Sequence, residues 1–177
     1  MTMISMSLLK FRPRSLQRLC GLALAAALVA GCDPQNISEL QPGESSEADV
    51  RAKFGAPEAV WEGEGGVRIF EYNRQPAGHR NYMISIGPDG KMQRIRQVLD
   101  EGNFARVTPG MPMEDVRRML GKPAKVTPFE LKGEIHYDWR YLSGPNASDS
   151  KLFTVVFDRQ LMVMRTERNP DPELQPN

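Results

Sequence analysis

Along the chain, short apolar stretches follow two different periods. Met113, Val116, Met119 and Leu120 fall at i, i+3, i+6 and i+7, an apolar stripe that predicts a helix with Arg117 and Arg118 facing away. Val50 and Phe54 form the i, i+4 pair of an equivalent helix, with Ser46 as its N-cap and Asp49 at N3. Each helix is preceded by Pro-Gly (Pro42-Gly43, Pro109-Gly110). Each ends in Gly-x-Pro (Gly55 to Pro57, Gly121 to Pro123), where glycine caps the helix and proline stops it. Between and after the helices, alternating segments predict strands at 59–62, 67–72, 82–86 and 92–99, then at 125–129, 135–142, 152–157 and 161–166. Gly63 to Gly66 reads as a turn, Gly87-Pro88-Asp89-Gly90 as a hairpin turn, and residues 144–150 as a polar loop.

The helix signatures repeat. Pro42-Gly43 recurs 67 positions on; Asp49-Val50-Arg51 and Gly55-x-Pro57 recur 66 positions on as Asp115-Val116-Arg117 and Gly121-x-Pro123. Seven identities, in order, within sixteen residues indicate an internal duplication. Two copies at this spacing make two small modules rather than a solenoid. A unit of this size buries too little surface alone, so the two are expected to pack against each other. The predicted fold class is α+β: two tandem small units, each with helix packed on an antiparallel β-sheet.

The first 31 residues break this pattern. Leu19 to Ala30 carries no charge and no polar face, and Lys10, Arg12, Arg14 and Arg18 precede it with no acidic residue. That is a secretory signal, too short to span a membrane. Removing it changes the charge picture. The whole chain is +1, but the remaining 146 residues are −3, which gives no basic footprint for nucleic acid. The signal also holds Cys20, leaving Cys32 as the one cysteine of the mature chain and no intramolecular disulfide to form. Leu28-Val29-Ala30-Gly31-Cys32 resembles the bacterial lipobox, which implies acylation of Cys32 and anchoring to a membrane. The layout expected is a signal at 1–31, a polar tether at 32–41, one unit at 42–106, a second at 107–168, and a disordered tail at 169–177.

Gly110-Met111, then Val116-x-x-x-Leu120-Gly121-x-Pro123, with strands ending in Tyr137, Trp139 and Tyr141, resembles the signature of the BamE (SmpA/OmlA) family of outer-membrane assembly lipoproteins. The first copy departs from it: Glu44 stands where Met is usual, Phe54 replaces Leu, and the helix starts one residue late. The resemblance implies two helices on an antiparallel sheet per unit, where the local pattern shows one. It also implies a non-catalytic, periplasm-facing lipoprotein at the outer membrane whose partners are envelope proteins, among them the β-barrel assembly machinery. Asp33 resembles instead a signal that retains lipoproteins in the inner membrane. Tandem units of this shape also resemble the secreted β-lactamase inhibitor proteins, so binding a periplasmic enzyme is the alternative.

Candidate chemistry is sparse. His79 and His136 lack partners at ligand spacing, so no metal site or cofactor is expected. No nucleophile elbow, phosphate loop or paired carboxylates stand out, so no catalytic residue is nominated and the protein is expected not to be an enzyme. Trp61, Tyr72, Tyr137 and Trp139 are weighed as binding hot spots against core packing. Arg94 with Arg96, and Arg117 with Arg118, are weighed as contacts for lipid phosphates against a solvated face.

Overall fold

A computed structural model describes residues 33–144 and 149–172. The expected signal, Cys32, residues 145–148 of the polar loop and residues 173–177 of the expected tail lie outside the described residues. From Asp33 on, the chain is one compact unit.

The two copies have the same order of elements. The first runs α1 (Asp33–Ser38), α2 (Glu47–Phe54), β1 (Ala59–Glu62), β2 (Arg68–Asn73), β3 (Asn81–Ile86) and β4 (Met92–Gln97). The second runs α3 (Glu101–Phe104), α4 (Met113–Leu120), β5 (Lys125–Phe129), β6 (Glu134–Ser143), β7 (Asp149–Phe157) and β8 (Val163–Pro170). Each set of strands forms an antiparallel meander, in the orders β1-β2-β3-β4 and β5-β6-β7-β8. Both meanders have a register shift at equivalent points, Ser85/Ile86 and Val156/Phe157.

Local chemistry sets the helix ends as the sequence indicates. Ser46 Oγ accepts from Asp49 N, and the Asp49 carboxylate accepts from Ser46 N at 2.8 Å, a complete capping box. Gly55 and Gly121 close α2 and α4 with φ/ψ of 82°/−162° and 76°/−169°. That is not the left-handed helical cap expected from sequence but the extended positive-φ region, which is essentially restricted to glycine.

Three expectations are corrected. The polar tether is not a tether. Residues 33–38 form α1, Leu40 is 6% exposed in the first core, and Ile37 packs against that core. Asp33 holds the Arg74 guanidinium through two contacts of 2.8 Å. The repeat explains this: Asp33, Asn36, Ile37 and Leu40 lie 67 positions before Asp100, Asn103, Phe104 and Val107, so α1 is the counterpart of α3. Each unit therefore carries two helices, as the family resemblance implies, and not the one its local pattern reveals. The tail begins later than residue 169, because β8 pairs through Pro170 and Asp171 is buried. The start of β8 also shifts, to Val163. Leu161 sits in the preceding turn at φ 59°, where the first copy has Gly90 at φ 76°.

Two apolar cores result. Val50, Phe54, Leu40 and Met92 pack on Phe70, Tyr72, Tyr82, Ile84 and Ile86, one face of the first sheet. Val116, Leu120, Phe104 and Val107 pack on Trp139, Tyr141, Phe153, Val155 and Phe157 of the second. Met83, from the opposite face of the first sheet, joins the second core. The first sheet is thus covered on both faces, and α4 lies between the two sheets.

Candidate interaction surfaces

The seam between the units is built from polar side chains of β2 and β3. Glu71, Asn73 and Asn81 point to the face opposite Phe70 and Tyr72, as strand alternation requires, and meet the end of α4. Glu71 Oε1 and Asn73 Oδ1 accept from Lys122 N at 2.9 and 3.0 Å, and Asn81 Nδ2 donates to the carbonyls of Leu120 and Lys122 at 2.8 and 3.1 Å. These bonds satisfy backbone groups that a helix end leaves open. The Glu71 carboxylate is fully buried. It also accepts from Trp61 Nε1 and Asn73 Nδ2 and lies 3.5 Å from Arg117, so its charge is compensated as burial demands. Beside it opens a cleft of about 580 Å³, lined by Glu58, Met113, Arg117, Lys122, Val126 and Tyr137 among others.

A second seam lies between the loop after β2 and the far end of the second sheet. Gln75 exchanges two hydrogen bonds with the backbone of Arg140, as a neighbouring strand would. Arg140 Nη1 donates to the Pro76 carbonyl, and its Nε lies 2.6 Å from Asp171. Here the fold brings together His79, Ser150 and Asp171, which sequence spacing did not connect. His79 Nε2 lies 2.8 Å from Ser150 Oγ, which donates to Asp171 Oδ2 at 2.7 Å. This is not a nucleophile with its base. The serine proton is directed at the carboxylate, so Ser150 accepts from His79, and Nε2 must carry its own proton. Burial, with Arg140 nearby, lowers the His79 pKa from its ordinary value of 6.5.

On the outer face of the second sheet, Thr154 and Val156 are buried at the centre, and polar and charged side chains flank them. Positions that in the first sheet are apolar are here polar or charged: His136 replaces Ile69, and Thr154 replaces Met83. Glu134, Arg165 and Glu167 form a chain of ion pairs across it. Hydrogen bonds from Arg165 and His136 hold the Glu134 carboxyl down to about 2. At the other end of the stack, α2 has Glu47 and Lys53 where α4 packs through Met113 and Met119. Both ends are capped by charge, as the terminal units of stacked repeats are. A concavity of about 350 Å³ on the second sheet is lined by Lys125, Phe129, His136, Asp138, Arg140 and Leu152 among others. At the β5–β6 hairpin tip, Leu131 is fully exposed and Phe129 is 39% exposed.

The aromatic residues weighed as hot spots are distributed differently. Tyr72 and Trp139 are core residues, whereas Trp61 and Tyr137 are half-buried beside the seam. His136 meets Glu134 at 3.0 Å. No cluster of metal-ligating side chains is present among the described residues. No helix among the described residues is long and apolar enough to cross a membrane.

Residues 97–167 match the family profile of the outer membrane protein assembly factor BamE domain. That span holds α3, α4 and all four strands of the second sheet. The second unit is a BamE-family relative. The matched span is thus the second unit, and residues 33–97 repeat its order of elements. No curated protein matches the chain. Three solved structures are similar to it. A DUF4309 family protein (YjgB) from Bacillus subtilis is 22% identical, over 78% of this chain and 86% of that one, with a TM-score of 0.32. A proposed beta-lactamase inhibitor protein from Streptococcus mutans is 9% identical, over 77% and 94%, with a TM-score of 0.31. An extracellular protein containing an SCP domain from Bacillus anthracis is 12% identical, over 78% and 46%, with a TM-score of 0.30. Scores this low define no shared fold.

Proposed function

We propose that this protein is a lipid-anchored, non-catalytic lipoprotein that binds envelope proteins and supports the assembly of outer-membrane proteins. The observation that carries this reading is the match of residues 97–167 to the BamE domain. In this reading Cys32 carries the lipid, and the anchor sits next to the fold. Asp33 is one peptide away and is held by Arg74, so about 3.8 Å of backbone separates the acylated residue from an ordered helix. The first unit would then be held close to the membrane rather than on a loose leash. The membrane in this reading is the outer one, facing the periplasm. Asp33 has a structural reason to be acidic, as the counterpart of the α3 N-cap Asp100, without being a retention signal.

In-cell crosslinking of the full-length protein, with identification of what is captured, tests the reading. Recovery of β-barrel assembly components is expected. Capture of a single periplasmic hydrolase instead would overturn it in favour of an inhibitor. Radiolabelled palmitate should enter the wild type and not Cys32→Ser.

A further inference from the structure

Tyr82 is 1% exposed, and its hydroxyl is sealed from water with no hydrogen-bond partner among the described residues. It lines a cavity of about 270 Å³ together with Ile37 of α1, His79, Arg80, Gln97 of β4 and Leu142 of β6. The repeat shows how the other core treats this place. Tyr82 pairs with Tyr72 and Gln97 as Phe153 pairs with Trp139 and Arg168, so Phe153 is its counterpart. Phe104 is likewise the counterpart of Ile37. In the second unit these two phenylalanine rings stack with centroids 4.1 Å apart. The first unit has instead the smaller isoleucine, an open space beside it, and a ring that carries a hydroxyl. A position that served packing alone would suit phenylalanine, because a buried hydroxyl without a partner is destabilising.

The other polar groups of the lining divide into committed and open ones. Gln97 Nε2 donates to the Leu99 carbonyl at 3.0 Å, and Gln97 Oε1 accepts from Leu99 N. His79 Nε2 is engaged by Ser150. Arg80 is half-buried and has no hydrogen bond or ion pair from its guanidinium. It precedes Tyr82 by two residues and so leaves the chain on the same side. Two donors remain open, a guanidinium fork and a hydroxyl, between apolar walls of Ile37 and Leu142. We propose that this cavity binds an aliphatic carboxylate. A carboxylate accepts two parallel bonds from one guanidinium and keeps lone pairs for the tyrosine hydroxyl, and its single charge matches the single open cation. The hydrocarbon part rests on Ile37 and Leu142. The space equals about nine waters, which suits a ligand the size of one leucine residue. A small free acid and the C-terminal residue of a polypeptide present this same chemistry, and the test separates them. The site does not rest on the BamE match, since five of its six residues belong to the first unit.

The test uses the full-length protein in a nonionic detergent, with N-acetyl-leucine, N-acetyl-leucinamide and isovalerate as probes at constant ionic strength. Binding is read by titration calorimetry and by the Arg80 Nε–Hε and Tyr82 ring NMR signals. Saturable binding of N-acetyl-leucine with shifts at both residues is expected, and none of its amide. Saturation by isovalerate as well identifies a free acid as the ligand; N-acetyl-leucine without isovalerate identifies a chain end. Arg80→Gln should weaken binding about tenfold or more, as loss of a charge-assisted pair does. Tyr82→Phe should weaken it severalfold. Without ligand, Tyr82→Phe should melt no lower than the wild type, because it removes an unpaired hydroxyl. No saturable binding of either carboxylate, binding of the amide as tight as that of the acid, or unchanged affinity in both variants overturns the proposal. So does a lower Tm for ligand-free Tyr82→Phe, which would mean that the hydroxyl already has a partner.

Discussion

The indole Nε1 of Trp139 donates to the carbonyl oxygen of Gly121 at 3.0 Å. In the first unit the phenol of Tyr72 does the same to Gly55, at 3.1 Å. In both copies, an aromatic on the second strand of the sheet ties down the residue that ends the helix above it. Trp139 is fully buried, so Trp139→Phe strands a buried carbonyl as well as leaving a gap. A cost of about 1–3 kcal/mol is expected from the lost hydrogen bond alone. Tyr72→Phe should cost less, because it changes volume little. Urea denaturation of the two variants measures the difference.

Gly55 and Gly121 share a backbone conformation but not surroundings. A Cβ at Gly55 would meet nothing within 4 Å, whereas one at Gly121 would meet Asn73 Oδ1 at 2.6 Å and Asn81 Nδ2 at 3.0 Å. Gly55→Ala should therefore report backbone strain alone, about 1–3 kcal/mol. Gly121→Ala should cost more, because it also pries the seam apart. Equal losses of stability would show that the seam contacts at α4 contribute little.

Leu40 separates a docked α1 from a tether. Buried leucines truncated to alanine cost about 2–5 kcal/mol, and Leu40→Ala is expected at the lower end because the residue lies at the margin of its core. Arg74→Ala should act in the same direction by releasing Asp33. If thermal unfolding of both variants matches the wild type, residues 33–41 contribute nothing to the fold.

The second seam should weaken in acid. The His79 pKa is lowered from 6.5 in the folded protein by burial and by Arg140, so folding favours the neutral ring. Its contribution is fully present above pH 6.5 and is lost as pH falls from there through the folded value. His79→Gln keeps a donor toward Ser150 but cannot titrate. Its Tm should therefore fall less steeply than that of the wild type between pH 7 and pH 5. Parallel curves would remove His79 from the acid response.

Much of this architecture is written locally. All eight strands overlap the segments that alternation and turn residues predict, with ends that shift by a few residues, because a two-residue period needs only four or five positions to show itself. The capping box at Ser46 and the paired glycines are equally local, each acting on atoms within one helical turn. The repeat was visible for the same reason, since identical caps need identical residues.

What the sequence left undecided depends on atoms far apart in the chain. Helices of four and six residues are too short to display a 3.6-residue period or to be stable alone, so α1 and α3 exist through the cores they cover. The signal that would have revealed α1 was Asp33 with Asn36, matching Asp100 with Asn103, two residues inside a stretch that composition alone reads as polar linker. Glu71 and Asn81 carry no mark of burial in their own strands; their partners, Leu120 and Lys122, lie about 40 to 50 residues on. Nor does any local pattern say that the first sheet is covered on both faces. That follows from which faces the units turn to each other. Local periodicity determined the elements and their order, whereas the pairing of buried polar groups across the seam determined how they stack.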